Sequence, residues 1–243
     1  MSLPGQILYQ CWHRPVAAAR NSIRRGGPIA QWRAARGRAA MQATALSLPL
    51  PPAREPGAAF SVHLLTGRRF AYQTAFCLHS LAKHSPLRLA PELYDDGTFD
   101  EASRAIVLRL FPDAVIHRQS DTIARLDDAL PASRFPVLRE RWLNYPHIRK
   151  LTDVHAGRTG WRLVLDSDLL FWREPRLLID WSTTPDRPLL ATDCAENYGY
   201  PRPVLERLAG RPLPERLNVG LCGFRSDSID WDFLEHAASA LIR

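Results

Sequence analysis

The chain has 243 residues, 32 Lys and Arg against 25 Asp and Glu, and a formal charge of +7. Eight arginines but one acid, Glu55, fall in residues 1–58, which leaves 24 basic and 24 acidic side chains beyond them. That balance argues against nucleic acid as a partner of the larger part, and 46% hydrophobic with 23% charged residues excludes a wholly disordered chain.

Residues 1–58 read as a basic extension that ends in a proline-rich stretch, Pro49, Pro51, Pro52 and Pro56 followed by Gly57. Prolines at that density continue neither a helix nor a central strand, so a domain is expected over residues 59–243. Within the extension, Ile29, Trp32, Ala35 and Ala39 can share a helical face opposite Arg33, Arg38 and Gln42. Three readings follow: a helical extension broken at Gly26-Gly27-Pro28, an organellar transit segment, or peripheral contact with an anionic membrane through residues 1–58. The first is favoured. The sequence shows no apolar run of membrane-spanning length, and Cys11, Cys77, Cys194 and Cys222 form no metal-ligand spacing. A cytoplasmic protein with reduced thiols is the expectation.

From residue 59 on, apolar runs of strand length alternate with helical periodicity, the pattern of an α/β domain. Residues 60–66 read as a first buried strand closed by Gly67, and residues 70–84 as a helix. A strand over 89–94 meets the turn Asp95-Asp96-Gly97, a helix over 100–111 stops at Pro112, and residues 114–117 give a short strand. Helices are expected over 120–129 and over 139–155, the latter interrupted at Pro146. Trp161–Leu165 is the clearest strand; 189–192 and 217–224 follow, then a helix over 229–241 with Ser228 as its N-cap.

The chemistry concentrates in Leu163-Val-Leu-Asp166-Ser-Asp168. A buried strand delivers two carboxylates at its carboxyl end, where open α/β sheets place their ligands. Charges beside a core cost several kcal/mol unless paired or bound, and a carboxylate pair with substrate phosphates is a common way to hold Mg²⁺ or Mn²⁺. Two enzyme classes use such a pair. In phosphatases of the haloacid-dehalogenase type, Asp166 would be the nucleophile, but Leu170 stands where a Thr is usual and no lysine follows Lys150. In nucleotide-sugar transferases the pair holds a cation that bridges the donor's diphosphate. His147 and His155, eight residues apart, read as structural histidines.

The ordered set of motifs resembles the GT-A glycosyltransferases, most nearly those of glycosyltransferase family 8, from about residue 60 to 224. Val62-His-Leu-Leu-Thr66-Gly67 is similar to their first strand and nucleotide loop, and Ile148-Arg149-Lys150-Leu151 to the basic step on the helix before the acidic motif. Leu190-Ala-Thr-Asp193 and Leu217-Asn218-Val-Gly220 resemble the two strands that meet the donor sugar.

The resemblance implies a GT-A-like, Rossmann-like sheet flanked by helices and a metal-dependent transferase of nucleotide-diphosphate sugars. The donor would be a UDP-sugar, transfer would retain configuration, and the acceptor, whether glycan, lipid or protein, is left open. Asp166 and Asp168 would hold Mn²⁺ or Mg²⁺; Thr66, Gly67 and Lys150 would meet the donor; Asp193 and Asn218 would orient its sugar. The family's C-terminal histidine motif has no counterpart around His236, so either a shorter C-terminal part completes the site differently or the chain is a non-catalytic nucleotide-binding remnant.

Overall fold

The computed structural model describes residues 23, 26–54, 59–196 and 198–242. Arg14, Arg20, Arg24, Arg25 and Cys11 of the basic extension, and Glu55 to Gly57 at its end, lie outside the described residues. The chain divides into two compact units, 1–45 and 46–243.

In the first unit, α1 spans Gly27–Thr44. The part of the extension ahead of Gly26 lies, Ile23 apart, outside the described residues, and Gly26-Gly27-Pro28 stands at the start of α1: both glycines have left-handed φ, 82° and 80°, and Pro28 sits in the first turn, where a missing N–H costs nothing. Its apolar side chains are spread around the axis, so the expected one-sided apolar face is not formed. Arg36 lies 5.5 Å over the ring of Trp32. Among the described residues no helix is long and apolar enough to cross a membrane.

The second unit begins at Leu46, ahead of the boundary expected at residues 58 and 59. The reason is packing: Leu48 rests on the main core and its carbonyl accepts a hydrogen bond from Arg109. The strands are β1 (Ala59–Thr66), β2 (Arg88–Asp95), β3 (Val115–His117), β4 (Trp161–Leu165), β5 (Leu189–Thr192) and β6 (Leu217–Arg225). They form a single sheet in the order β3-β2-β1-β4-β6-β5, parallel except for β6, which runs antiparallel to both neighbours. The expected α/β class, a sheet flanked by helices, is therefore present.

Helices cover both faces. On one face α2 (Ala71–His84), α3 (Glu101–Leu110) and α7 (Arg176–Thr183) enclose Phe60, Val62, Leu64, Leu89, Leu93, Leu163 and Leu165. Strand alternation explains the choice, since every second residue of β1 points to that side. On the other face Tyr94, Val164 and Cys222 pack with Val154 of α6 (Arg149–His155). Beyond them α4 (Gln119–Ala129), α5 (Pro136–Asn144) and α9 (Trp231–Ala240) share a core of Leu126, Leu138, Trp142 and Leu234.

The helix expected over 139–155 is three pieces: α5, a 3-10 turn at Pro146–Ile148, and α6. It also starts earlier, because Pro136 is tolerated in a first turn. The N-cap of α9 is Asp230, whose side chain accepts from the N–H of Phe233 at 2.8 Å; Ser228 instead closes a 3-10 turn by donating to the Arg225 carbonyl. α7 and α8 (Arg202–Ala209) complete the unit.

Gly223 in β6 faces the indole of Trp181, and a Cβ built there falls well inside van der Waals contact with the ring. Overpacking of that kind costs about 1–3 kcal/mol. Gly223→Ala is accordingly expected to lower the unfolding free energy read from chemical denaturation by that amount, and an unchanged value would show that the Trp181 ring moves freely.

Candidate functional site

The sheet order changes direction between β1 and β4: from β1 the chain moves outward to β2 and β3, then returns to β4 on the other side. Crevices at such a switch point, outside the carboxyl ends of the strands, are where open α/β sheets bind ligands. A cleft of about 730 Å³ occupies this position, lined by Thr66 at the end of β1 and by Asp166, Ser167 and Asp168 after β4. Arg69, Gln73, Asp96, Gln119, Trp142, His147 and Lys150 complete its polar and aromatic walls.

Each wall is held by identifiable bonds. Thr66 is buried, and its hydroxyl meets that of Thr74 on α2 at 2.7 Å. Gly67 does not line the cleft, but no side chain fits there, because a Cβ would collide with the Asp96 carboxylate. That carboxylate accepts from Thr98 N and Oγ1 at 2.9 and 2.6 Å, while Asp96 N donates to the Thr66 carbonyl at 2.9 Å. The Asp95-Asp96-Gly97 segment is thus a turn, as expected, and it also forms part of the cleft wall through Asp96.

The two basic residues ahead of the acidic motif have separated roles. Arg149 is buried: it donates to Asp153 at 2.9 Å, to the carbonyls of Asp95 and Asp96 at 2.9 and 3.0 Å, and lies 4.8 Å over the ring of Trp142. It ties α6 to the end of β2. Asp153 also accepts from Trp142 Nε1 at 2.6 Å and from Thr152. Burial raises its pKa, against the opposing pull of Arg149. Lys150, one residue on, faces the cleft and forms an ion pair with Asp166.

Asp166 is half-buried, and its N–H donates to the Gly220 carbonyl at 2.6 Å, which fixes the motif to β6. Asp168 is exposed and makes no ion pair among the described residues. Beneath the motif, the Cys77 thiol contacts the Asp166 carbonyl at 3.6 Å; burial first, then the two nearby aspartates, push its pKa up to about 12. Cys77, Cys194 and Cys222 are free thiols.

Asp193 and Asn218 stand together but outside the cleft lining: Asn218 Nδ2 donates to Asp193 Oδ2 at 3.2 Å. Asn218 also accepts from Gly220 N at 2.6 Å. A Cβ at Gly220 would lie 2.8 Å from both Asn218 Oδ1 and Asp166 Oδ2, so this glycine lets the two side chains meet above the strand. Lys150, Asp166, Asn218 and Asp193 therefore form one row of side chains at the sheet edge where β4 and β5 end. Among the described residues no group of three His, Cys, Asp or Glu side chains is placed to hold a metal ion, and His236 is exposed on α9.

A second polar group was hidden by its surroundings in the sequence. His63, Glu92 and His117 lie on adjacent strands, with His117 Nε2 at 2.9 Å and His63 Nδ1 at 3.7 Å from Glu92 Oε2, and Arg162 at 3.9 Å. Burial pushes His63 down to about 3, and the bond from His117 pulls Glu92 down to about 2. His155, at 2.9 Å from the Ser226 hydroxyl, is lowered by burial to about 4. His155 is thus anchored inside the fold through Nδ1, whereas His147 lies on the cleft wall.

These shifts fix the sign of an acid effect. The unfolded histidines, at their ordinary 6.5, take up protons that the folded ones refuse, so stability is full above pH 6.5 and falls as the pH drops toward 4 and 3. Glu92 adds a loss below its ordinary 4.5. Each buried histidine contributes about 2 kcal/mol of loss by pH 5. Thermal unfolding at pH 7 and pH 5 is expected to show a clear drop, and equal midpoints would contradict the buried neutral imidazoles.

No family model matches the chain, and no curated protein matches it. Among solved structures it is similar to mouse xyloside xylosyltransferase 1 in its apo form, at 12% identity and a TM-score of 0.48, over 77% of this chain and 72% of that one. It is also similar to the galactosyltransferase LgtC in complex with donor and acceptor sugar analogues, at 13% identity and a TM-score of 0.45, over 74% of this chain and 65% of that one. A third is the mannosyltransferase PcManGT from Pyrobaculum calidifontis in complex with GDP-Man and Mn²⁺, at 16% identity and a TM-score of 0.29, over 93% and 63%. The chain thus spans under two thirds of the length of the last two. Likeness this distant assigns no role to any residue.

Proposed function

We infer that the chain is a glycosyltransferase that takes a sugar from a nucleotide-diphosphate donor, a UDP-sugar by its resemblance to family 8, and passes it to a hydroxyl-bearing acceptor with retention. The observation that carries this reading is the position of Thr66, Lys150, Asp166 and Asp168 in one cleft at the switch point between β1 and β4.

Thr66 would receive the nucleoside, with Asp96 and Gln119 on the same wall, while Gly67 leaves room behind it for the Asp96 carboxylate. Lys150, now balanced by Asp166, would turn to the diphosphate and offset the negative charge that grows on it as the glycosidic bond breaks. Asn218 and Asp193, already hydrogen-bonded to each other, would present an amide and a carboxylate to the sugar hydroxyls.

The donor set also fits a hard cation. Asp168 is exposed and unpaired among the described residues, Asp166 is adjacent, and both supply oxygen ligands suited to Mn²⁺ or Mg²⁺. Two carboxylates leave several coordination positions to diphosphate oxygens and water, which suits a cation that arrives with the donor. When bound, it would supply Lewis-acid neutralisation of the leaving diphosphate.

The test is release of nucleotide from UDP-glucose and UDP-galactose with Mn²⁺ and with a chelator. Metal-dependent release supports the reading. Hydrolysis of an aryl phosphate without nucleotide release would instead favour the phosphatase, and metal-dependent binding without turnover would favour the non-catalytic remnant.

A further inference from the structure

A second cavity, of about 470 Å³, lies beside the donor cleft and shares Lys150 and His147 with it. Its walls come from α5, α6, β6 and α9, and its mouth includes Val219, between Asn218 and Gly220. The lining is predominantly apolar: Leu138, Leu151, Phe224, Leu234, Ala238 and Leu241 are among the contributors. The main cores of the unit do not fill it, although it is within the size range of small-molecule sites.

Polar groups sit at particular places on this wall. His155 is buried, and its Nε2 has no hydrogen-bond partner among the described residues. Burial keeps this imidazole neutral, so the wall carries no charge where α6 meets the apolar space. At the other boundary, Arg141 donates to the Tyr200 hydroxyl at 3.3 Å, and Lys150 marks the junction with the cleft. A ligand that fits both parts has an apolar body for the cavity and a hydroxyl at the junction, next to the side chains assigned to the donor sugar.

We propose that this cavity binds the acceptor, and that the acceptor is an amphiphile whose hydroxylated head lies at Lys150 and Val219 while an aliphatic body occupies the space between α5, β6 and α9. The proposal rests on the glycosyltransferase reading above. It narrows an acceptor otherwise open among glycan, lipid and protein to molecules with an apolar aglycone.

Calorimetric titration of the full chain with methyl, butyl and hexyl β-D-glucosides, below their micelle concentrations, tests it. Affinity is expected to rise about three- to fourfold for each added methylene. Ala238→Trp, which fills the cavity, and Leu241→Glu, which places a charge on its wall at the end of α9, are both expected to abolish that increment. Binding of UDP-glucose with Mn²⁺ should be unchanged in both. Equal affinity for the methyl and hexyl glucosides, or a length dependence that survives in both variants, would overturn the acceptor assignment while leaving the donor reading intact. Absence of UDP-glucose binding in the unsubstituted chain would remove the donor reading instead, and the acceptor role with it, even if the alkyl series still bound.

Discussion

Asp168→Ala is expected to reduce nucleotide-sugar turnover on the order of a hundredfold or more, because on the proposed reading it removes one of the two carboxylates that would hold the cation. Folding should hardly change. Asp168 is exposed and has no ion-pair partner among the described residues, and surface substitutions away from such features fall within about 0.5 kcal/mol. Asp166→Ala is a different experiment, since it also strips Lys150 of its partner and removes a side chain packed beside Gly220 and Asn218. The contrast separates ligand loss from structural damage: kinetic loss with an unchanged denaturation midpoint at Asp168, and loss of both at Asp166. Turnover by Asp168→Ala at the unsubstituted rate would contradict the metal role.

Arg149→Leu is expected to destabilise the fold by about 3–5 kcal/mol, the range for removing one partner of a buried ion pair. Asp153 is fully buried and keeps only Trp142 and Thr152 as donors once the guanidinium is gone. The same substitution removes the guanidinium from the carbonyls of Asp95 and Asp96, leaving Gln119 as the side-chain donor to the Asp96 carbonyl on the Asp96 wall. Chemical denaturation of Arg149→Leu, and of the double variant in which Asp153→Leu is added, reads this directly. The double variant should recover part of the loss, since no buried charge is then left alone. A single variant as stable as the parent would show that Asp153 is satisfied without its cation.

Much of this architecture is legible in the residues. Trp161–Leu165 is short, apolar and followed at once by carboxylates, so both the strand and its functional end stand out. The turn at Asp95-Asp96-Gly97 and the interruption at Pro146 follow from backbone chemistry in the same way. α7 and α8 were not legible, since each has only eight residues and proline stands at or just inside its start. Such segments read as loops until packing selects the helix.

The candidate site was legible where its residues follow a strand end and obscure where they are brought together from a distance in the sequence. Thr66, Lys150, Asp166 and Asp168 fall together because each terminates or adjoins an element at the same edge. Arg69, Gln73, Gln119 and Trp142 carry no local signal, and only the sheet order brings them to one cleft. The pairing of Lys150 with Asp166, and the space that Gly220 leaves for Asp166 and Asn218, are likewise properties of the folded chain. The His63, Glu92 and His117 group was concealed because its members stand singly on three strands, and only the pairing of β1 with β2 and of β2 with β3 brings them together.

Calorimetric binding of UDP-glucose to the full chain, in the presence and absence of Mn²⁺, bears most directly on the donor site. The geometry predicts saturable binding with Mn²⁺ that weakens at least tenfold with a chelator and is lost in Lys150→Ala and Asp168→Ala together. Affinity that is indifferent to both the cation and those two side chains would contradict the placement of the donor diphosphate between β1 and β4.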